Sequence, residues 1–362
     1  MKIGIVTFHN ALNYGGVLQA YALNKYLSNI EHDVKTIDFC PKDIYKLIGF
    51  RHTYSGIKYP LYIGRNLLMI NKRYPKIKKF IEFNKNYIPM THKMTTIDEV
   101  KEYSDKLDII ISGSDQVWNK DVWNRELRNT GLYSLGFETK AKKISYAASI
   151  GKDKLDENEL KGLLEDIKDY SHISVREESA KEIIGGNTTT VVDPVLLLDA
   201  KYWYDFIEET PKEDYIFVYI LIETKDIVKK VKELSKKTGL PIKYICGHNI
   251  FGRHGKNYAS ASPKEFVNLI HHAKYVVTNS FHGLAFSVIF EKEFITFLNS
   301  TRGTRQVNLL EKVGLTNRIF NKEEDMYNQI SKKIDYKKAK EKLAIEIEKS
   351  KEFLDSVLGS NK

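Results

Sequence analysis

Cysteine is scarce in this sequence. Only Cys40 and Cys246 occur among 362 residues, far apart and without partners at the spacing of metal ligands. This scarcity excludes a disulfide scaffold and predicts no metal site, so we expect two buried thiols in a reducing cytoplasm. Proline is also rare, with 8 residues, and no low-complexity stretch occurs. The composition is therefore that of a folded globular protein.

Long hydrophobic runs are missing as well. No apolar run reaches the ~18 residues that a transmembrane helix needs. The first residues, Met1–Val6, lead at once into polar positions and predict a β-strand rather than a secretory signal. We therefore expect a cytoplasmic protein, with the inner face of the membrane as a second location compatible with its charge.

Acidic residues are outnumbered, 47 against 57 basic ones, which gives a formal net charge of +10. The densest basic segment lies between Arg51 and Lys93, where lysines alternate with Tyr74, Phe80 and Phe83. One interpretation is peripheral contact with an anionic membrane or a lipid-diphosphate acceptor. The other, which we favour, is a solvated helix face above buried aromatic rings. No nucleic-acid partner is expected, because no binding motif accompanies the charge.

Short apolar segments alternate with amphipathic helices along the whole chain, which predicts an α/β fold built on parallel sheets. Predicted strands in the first half are 3–8, 34–39, 107–112, 144–148, 172–175 and 189–192. Those in the second half are 215–221, 241–246, 275–278 and 294–298. Ser262, Pro263 and Glu265 predict a helix start, because they suit the N-cap, N1 and N3 positions.

A polar segment around Pro211 separates the two series of strands. We predict two Rossmann-like domains facing a cleft, over residues 1–200 and 212–335, followed by a C-terminal helix over 336–362. In an open parallel sheet, ligands bind beyond the carboxyl ends of the strands. The residues that follow each predicted strand are therefore the candidates for a site.

The first strand is followed by Asn13, Tyr14, Gly15 and Gly16. Two glycines before a helix let backbone N–H groups approach an anion or a polar ligand. The alternative is a tight strand-to-helix turn without a ligand. The spacing differs from G-x-G-x-x-G, so no dinucleotide fingerprint is present.

The strand over 107–112 is followed by Ser114, Asp115, Gln116 and Trp118. Hydrogen-bonding side chains beside one large ring suit a sugar, whose hydroxyls need donors and acceptors and whose apolar face needs a ring. The alternative is an aspartate helix cap with a tryptophan in the core. We expect these four residues to bind a sugar acceptor together with residues 13–16.

Arg176 ends another predicted strand, where its guanidinium fork suits a carboxylate or a phosphate. The alternative is an ion pair with a neighbouring acid, since Glu177 and Glu178 follow it. After the strand over 241–246, His248 and His254 flank an arginine in a Gly-bounded loop and are candidates for the cleft rim.

His282 is the sharpest candidate, because it lies just past a strand and just before a helix, where free N–H groups carry partial positive charge. A histidine there can bind phosphate or pass a proton, and the alternative is a structural role. Asn279, Ser280 and Gly283 flank it. A flexible loop after the next strand holds Arg302 and Arg305 and faces the same sheet edge, which indicates an anionic ligand.

In their order and spacing these motifs resemble the polysaccharide pyruvyltransferase family. The resemblance rests on residues 13–16 with 18–19, 112–119, 174–177, 193–194 and 280–283, and on the arginine loop before 309–310. It implies a GT-B-like fold, phosphoenolpyruvate as donor substrate without a cofactor, and a sugar acceptor that is often lipid-linked. The products would be a cyclic pyruvate ketal and phosphate.

The resemblance also implies roles for single residues. His282 and Arg176 would be catalytic. The domain over 212–335 would be the donor side, where two loops hold the donor (Arg302, Arg305, Ser280, Gly283 and Asn279). The domain over 1–200 would be the acceptor side. Many family members have Arg-Leu-His where this chain has Ser280-Phe281-His282, so one donor-binding cation must come from elsewhere in this protein.

Two rival functions remain at this point. A nucleotide-sugar glycosyltransferase on a GT-B fold would need an acid in the second half for the ribose, and no G-x-x-x-E-like placement is convincing. A non-catalytic glycan-binding or assembly protein would keep aromatic residues in the cleft but would tolerate loss of the cations. The retention of His282, Arg176 and the arginine loop argues against the latter.

Overall fold

A computed structural model describes residues 1–40, 74–122, 127, 130–152, 154–208, 213–298 and 303–359. Arg302 and the basic positions from Arg51 to Arg73 lie outside the described residues, so the predictions made for them stay predictions. Within the described ranges the chain forms two parallel sheets, one from each half.

The first sheet has the strand order β2-β1-β3-β4, with β1 (Lys2–Val6), β2 (Asp33–Thr36), β3 (Ile109–Ser112) and β4 (Lys142–Ser145). All of its pairings are parallel. Two short strands, β5 (Ser174–Val175) and β6 (Thr189–Thr190), pair with each other and are bridged to the chain just after β4. Every residue of β3 is buried, as expected for a strand covered on both faces.

The helices of the first half are α1 (Tyr14–Asn29), α2 (residues 74–87), α3 (Ile97–Ser104), α4 (Glu157–Ile167), α5 (Glu178–Ile184), α6 (Pro194–Leu197) and α7 (Ala200–Tyr204). Helix α2 buries Phe80 and Phe83 and exposes Lys78. Lys79 instead forms an ion pair of 2.7 Å with Glu265 of the other half. The described part of the basic segment is thus a solvated face above aromatic rings, which is the interpretation we favoured.

The second sheet has the order β11-β10-β7-β8-β9 and is also parallel, with β7 (Ile216–Tyr219), β8 (Ile242–Ile245), β9 (Gly255–Asn257), β10 (Tyr275–Thr278) and β11 (Glu293–Thr296). Its helices are α8 (Lys225–Thr238), α9 (Pro263–His271), α10 (Phe281–Ile289), α11 (Thr304–Val313), α12 (Met326–Ser331) and α13 (Tyr336–Leu358). Ser262 and Glu265 form the predicted capping box of α9, with Pro263 at its first position.

Both sheets reverse their strand order at their first strand. Strand β1 lies between β2 and β3, and β7 lies between β8 and β10. Loops that leave neighbouring strands in opposite directions open a crevice at such a point, and ligands of open α/β sheets bind there. The expected architecture of two Rossmann-like halves is confirmed, and it makes the carboxyl ends of β1, β3, β7 and β10 the place for a site.

The two halves share one hydrophobic core. Tyr14 of α1 stacks on Phe266 of α9 with ring centroids 4.6 Å apart, and its hydroxyl donates to the carbonyl of Ala261 at 2.8 Å. The last helix, α13, returns to the first half, where the Ser350 hydroxyl accepts a hydrogen bond from the Val192 backbone. The residue boundaries proposed for the domains stay a prediction.

The sequence pattern did not predict strand β9 or helix α12 of the second half. Strand β9 is short and contains glycine, and helix α11 begins directly after the segment predicted to be a flexible arginine loop. Arg305 therefore lies in the first turn of a helix rather than in a loop. Among the described residues, no helix combines the length and the apolar character needed to cross a membrane.

Candidate active site

The turn between β1 and α1 brings the first half into contact with the second. Asn13 caps α1, with its side-chain oxygen accepting from the backbone N–H of Gly15 at 3.0 Å. A Cβ atom added to Gly15 would lie 2.0 Å from Nδ1 of His282. Glycine is required here because the imidazole of the other half occupies the space of a side chain.

His282 is fixed by the turn between β10 and α10. The Ser280 hydroxyl caps α10 by accepting from the Gly283 backbone at 3.4 Å, and Thr278 Oγ1 accepts from the Ser280 backbone at 3.0 Å. A Cβ atom on Gly283 would lie 2.4 Å from that same Thr278 oxygen. These contacts place His282 in the first turn of α10, buried, with Nε2 lying 3.5 Å from Oδ2 of Asp193.

Asp193 lies at the centre of the site and is fully buried. Its Oδ1 caps α6, and its Oδ2 accepts from the Ser114 hydroxyl at 3.0 Å and from Nη1 of Arg176 at 2.5 Å. Burial acts to raise the pKa of Asp193, but His282 and Arg176 outweigh burial and hold that pKa well below its ordinary value. Asp193 is therefore a carboxylate that joins residues of both halves.

Arg176 is buried among acids. Besides Asp193, it contacts Glu177 at 3.3 Å through Nε and Asp115 at 3.6 Å through Nη2. Burial acts to lower the pKa of Arg176, and these carboxylates reverse the effect, so the pKa is raised above its ordinary value. The contacts of Arg176 are thus those of the alternative interpretation, an ion pair with neighbouring acids.

The guanidinium of Arg176 also lies over the ring of Phe281, 4.6 Å from its centroid. Phe281 is the middle residue of the Ser280-Phe281-His282 motif, which contains no arginine of its own. A cation from the first half therefore lies against this motif, in a stacked arrangement that stabilises the guanidinium.

Asp115 lies between two arginines, at 3.6 Å from Arg176 and 3.7 Å from Nη1 of Arg305. Its backbone adopts φ 72°, in the left-handed region that aspartate and asparagine tolerate better than most residues. We call the six groups of this cluster the ionic network (Asp115, Arg176, Glu177, Asp193, His282 and Arg305). Its two arginines and one histidine face three carboxylates, so the network as a whole offers no net positive charge.

Several predicted site residues are used by the fold instead. Trp118 is 3% exposed, packs against Tyr170 and donates its indole N–H to Ser112 at 3.1 Å, so it has no open face for a sugar. Tyr14 is buried in the core between the halves. Neither ring lines the cleft, so both side chains belong to the hydrophobic core rather than to an acceptor site.

The polar side chains flanking His282 are also occupied. Asn279 accepts from the Leu221 backbone and donates to the Ile222 carbonyl, both at 2.7 Å, and so ties the end of β10 to the loop after β7. The Gln116 side-chain oxygen accepts from Asn119 at 3.1 Å. The predicted donor and acceptor sets therefore lie at one place in the fold, but many of their members act as supports.

A cavity of 830 Å³ opens beyond the carboxyl ends of β7 and β8. Both halves line it: Leu12, Asn13 and Lys76 from the first half, and Tyr219–Leu221, Cys246–Asn249, Asn257 and Ser260 among the residues of the second. Its polar and apolar lining and its volume are those of a small-ligand site.

Sequence reasoning missed the cluster of Glu223, Cys246 and His248, of which Cys246 and His248 line this cavity. One ligand atom of each lies within 4.8 Å of the others. Cys246 is half-buried rather than buried as expected, and the Cys-Gly-His spacing after β8 was the available signal. The prediction of no metal site depended on spacing along the chain, whereas Glu223 comes from the loop after β7.

The chain is similar to known proteins both in sequence and in fold. A family model described as "Polysaccharide pyruvyl transferase" matches residues 13–301. Similar solved structures include UDP-GlcNAc 2-epimerase of Methanocaldococcus jannaschii in complex with UDP-GlcNAc and UDP, at 15% identity and TM-score 0.51, covering 95% of this chain and 99% of that one. Another is Anabaena Alr3699/HepE in complex with UDP and glucose, at 10% identity and TM-score 0.56, covering 99% and 100%. No curated protein sequence matches. At these identities the structures show the fold alone, a GT-B arrangement.

Proposed function

Because this chain belongs to the polysaccharide pyruvyl transferase family, and is therefore a transferase, we propose that it moves the enolpyruvyl unit of phosphoenolpyruvate onto a sugar. The acceptor is a surface polysaccharide or its lipid-linked precursor, and the product is a pyruvate ketal. The observation that carries this proposal is the contact of His282 with Asp193 at the junction of both halves.

The reaction requires a proton at the methylene carbon of the donor. Protonation there leaves an oxocarbenium-like centre at C2, which a sugar hydroxyl attacks while it loses its own proton. The C2–O bond to phosphate then breaks, and a second hydroxyl closes the ketal and releases a second proton. Two hydroxyl protons thus leave the acceptor, one replaces the proton given to the methylene carbon, and the other leaves with phosphate.

His282 is the proposed acid. Nε2 of its ring lies 3.5 Å from Oδ2 of Asp193, so a carboxylate is in place as the ion-pair partner of an imidazolium. The ring is buried and its orientation is restricted by Gly15. A positioned acid of this kind contributes ~10²–10⁴-fold to a rate.

Arg176 supports this acid rather than binding the donor directly. Its charge is already balanced by three carboxylates, and its shortest contact is to Asp193. We therefore assign it as a positioning residue that holds Asp193 toward His282. Among the described cations of the network, Arg305 is the proposed donor ligand, because its side chain is 11% exposed against 3% for Arg176.

The cavity of 830 Å³ fits a sugar-sized acceptor. Two apolar side chains at its edge are exposed, Leu221 at 56% and Ile222 at 48%. Exposed apolar residues beside this cavity suit an acceptor whose sugar is attached to a lipid. This supports a lipid-linked precursor and contact with the inner face of the membrane.

A nucleotide-sugar glycosyltransferase is the second candidate. The observation that favours it is the position of the cavity beyond β7 and β8 in a fold whose solved neighbours, at low identity, are in complex with UDP. The two functions differ in their donor, so ligand binding separates them.

The test is transfer by the full chain from phosphoenolpyruvate to hexose and hexosamine acceptors, free and lipid-linked. Phosphate release is measured beside the mass increase of the acceptor. We expect both signals from the wild type and from His254→Ala, which changes an exposed histidine, and neither from a folded His282→Gln. Thermal shift with phosphoenolpyruvate against UDP-sugars provides the second readout, because a ligand of the native state raises the melting temperature. A shift with UDP-sugars alone would replace this proposal by the glycosyltransferase.

A further inference from the structure

Three side chains form a compact group apart from the ionic network, and two of them, Cys246 and His248, lie on the wall of the cavity. Nε2 of His248 lies 2.7 Å from Oε2 of Glu223, and Nδ1 of the same ring lies 3.8 Å from Sγ of Cys246. Glu223 follows β7, whereas Cys246 and His248 follow β8, so the carboxyl ends of neighbouring strands bring them together. We call this group the cysteine cluster.

The loop that carries the cluster is fixed by a side chain of β9. Asn257 accepts from the Cys246 backbone N–H at 3.2 Å and donates to the carbonyls of Cys246 and His248 at 3.1 and 3.2 Å. One amide group therefore holds both ends of the Cys-Gly-His turn. Asn249, the next residue, accepts from Tyr244 and Gly252 and fixes the chain that follows.

The donor chemistry of the cluster suits one class of ion. A thiolate, an imidazole and a carboxylate are the ligands of Zn²⁺ and of similar borderline-soft divalent cations, not of Mg²⁺ or Ca²⁺, which prefer oxygen ligands. A thiolate and a carboxylate together carry two negative charges, which neutralise a divalent ion. Three protein ligands and one open position are the pattern of zinc sites that bind a substrate or water.

The fourth coordination position of such an ion can face the cavity. Cys246 and His248 both line the cavity of 830 Å³, in which we placed the acceptor. We propose that Glu223, Cys246 and one ring nitrogen of His248, whose ligand atoms lie within 4.8 Å of one another, bind a zinc-class divalent cation whose fourth position takes an oxygen ligand from the cavity. The cation site requires only these three side chains, so it stands or falls independently of the donor assigned above.

Metal binding to the full chain tests the proposal. After dialysis against a chelator, the protein is titrated with Co²⁺, and Zn²⁺ is then used to displace it. We expect a single equivalent to bind, with visible bands of a tetrahedral site and a thiolate-to-cobalt charge-transfer band. Cys246→Ser should abolish the charge-transfer band, and Glu223→Gln and His248→Ala should each weaken Zn²⁺ binding at least ~10-fold.

Two controls make the result specific. His254→Ala removes an exposed histidine from the same loop region and should leave the titration unchanged. Cys40 is present in every variant, and because burial raises the pKa of its thiol, it is a poor source of thiolate. Failure of the wild type to bind Co²⁺, or equal binding by all three cluster variants, would overturn the metal site.

The open position has its own readout. Inorganic phosphate added to the cobalt-loaded protein should shift the visible bands by replacing a bound water. Unchanged bands at millimolar phosphate would mean that the fourth position is closed to the cavity, and the proposed oxygen ligand would be wrong even if the metal binds.

Discussion

Asp193 and His282 lie 3.5 Å apart although they belong to different halves of the chain. Asp193 also holds Arg176 at 2.5 Å and the Ser114 hydroxyl at 3.0 Å. A single buried carboxylate thus connects the proposed acid of the second half to the polar residues of the first. Its charge is the feature that the following variant removes.

Asp193→Asn keeps the shape of the side chain and removes its charge. Arg176 then loses its closest counter-ion inside the protein, so we expect unfolding in urea to show a loss of about 3 kcal/mol. Transfer activity should fall as well, because His282 loses its ion-pair partner. Asp199→Asn changes an exposed aspartate nearby and should cost less than ~0.5 kcal/mol. Equal effects of the two variants would contradict a central role for Asp193.

The pH dependence of this effect follows from the lowered pKa of Asp193. A depressed pKa in the folded state stabilises the protein above the unfolded-state pKa of about 3.9, and the stabilisation is lost as pH falls further. We expect the stability difference between wild type and Asp193→Asn to be constant above about pH 5. It should narrow progressively below about pH 4, as urea titrations at each pH would show.

Gly15→Ala tests the close approach between the halves. The new Cβ atom would lie 2.0 Å from the His282 ring, so the ring must move, and we expect loss of transfer together with a lower melting temperature. Gly162→Ala is the matched control, because its Cβ meets nothing closer than 3.6 Å in the middle of α4. That variant should be stabilised by about 0.5–1 kcal/mol. A fully active Gly15→Ala protein would show that the ring position does not matter for the reaction.

Most strands and the two-domain fold could be predicted, because they depend on local patterns. Strand β10 begins and ends where the sequence placed it, and helix α13 begins at the predicted residue, Tyr336. The roles of side chains were harder, because they depend on tertiary contacts. Asp193 belongs to one of the motifs that carry the family resemblance, residues 193–194. No local signal, however, showed that it would accept hydrogen bonds from Ser114 and Arg176. Trp118 follows a strand among polar side chains, as a sugar-binding ring would, yet its side chain is buried in the core.

Trp118→Phe separates these two roles. The variant loses the hydrogen bond to Ser112 and leaves a small void, so we expect a stability loss of about 1–2 kcal/mol in urea. KM for the acceptor should stay within about twofold of the wild-type value, because the ring has no exposed face. An acceptor KM raised tenfold with unchanged stability would return Trp118 to the binding site.

Asp115 and an incoming donor compete for Arg305. Phosphoenolpyruvate carries about three negative charges near neutral pH, whereas the two arginines of the ionic network already face three carboxylates. An incoming donor must therefore displace an acid from an arginine. Asp115 is the candidate, because its contacts of 3.6 Å to Arg176 and 3.7 Å to Arg305 are longer than those of Asp193.

Asp115→Asn removes this competing charge, and asparagine tolerates the φ of 72° at this position, so the backbone should be kept. We expect donor affinity, measured by calorimetry at low salt, to rise roughly tenfold, or about 1.4 kcal/mol, and the gain to shrink as ionic strength increases. Arg305→Ala should weaken binding to a similar extent. Asp199→Asn makes the same change in net charge at an exposed aspartate outside the network, so a general electrostatic effect would appear in it equally. Weaker donor binding by Asp115→Asn would show instead that the aspartate serves to hold the arginines in place for the donor.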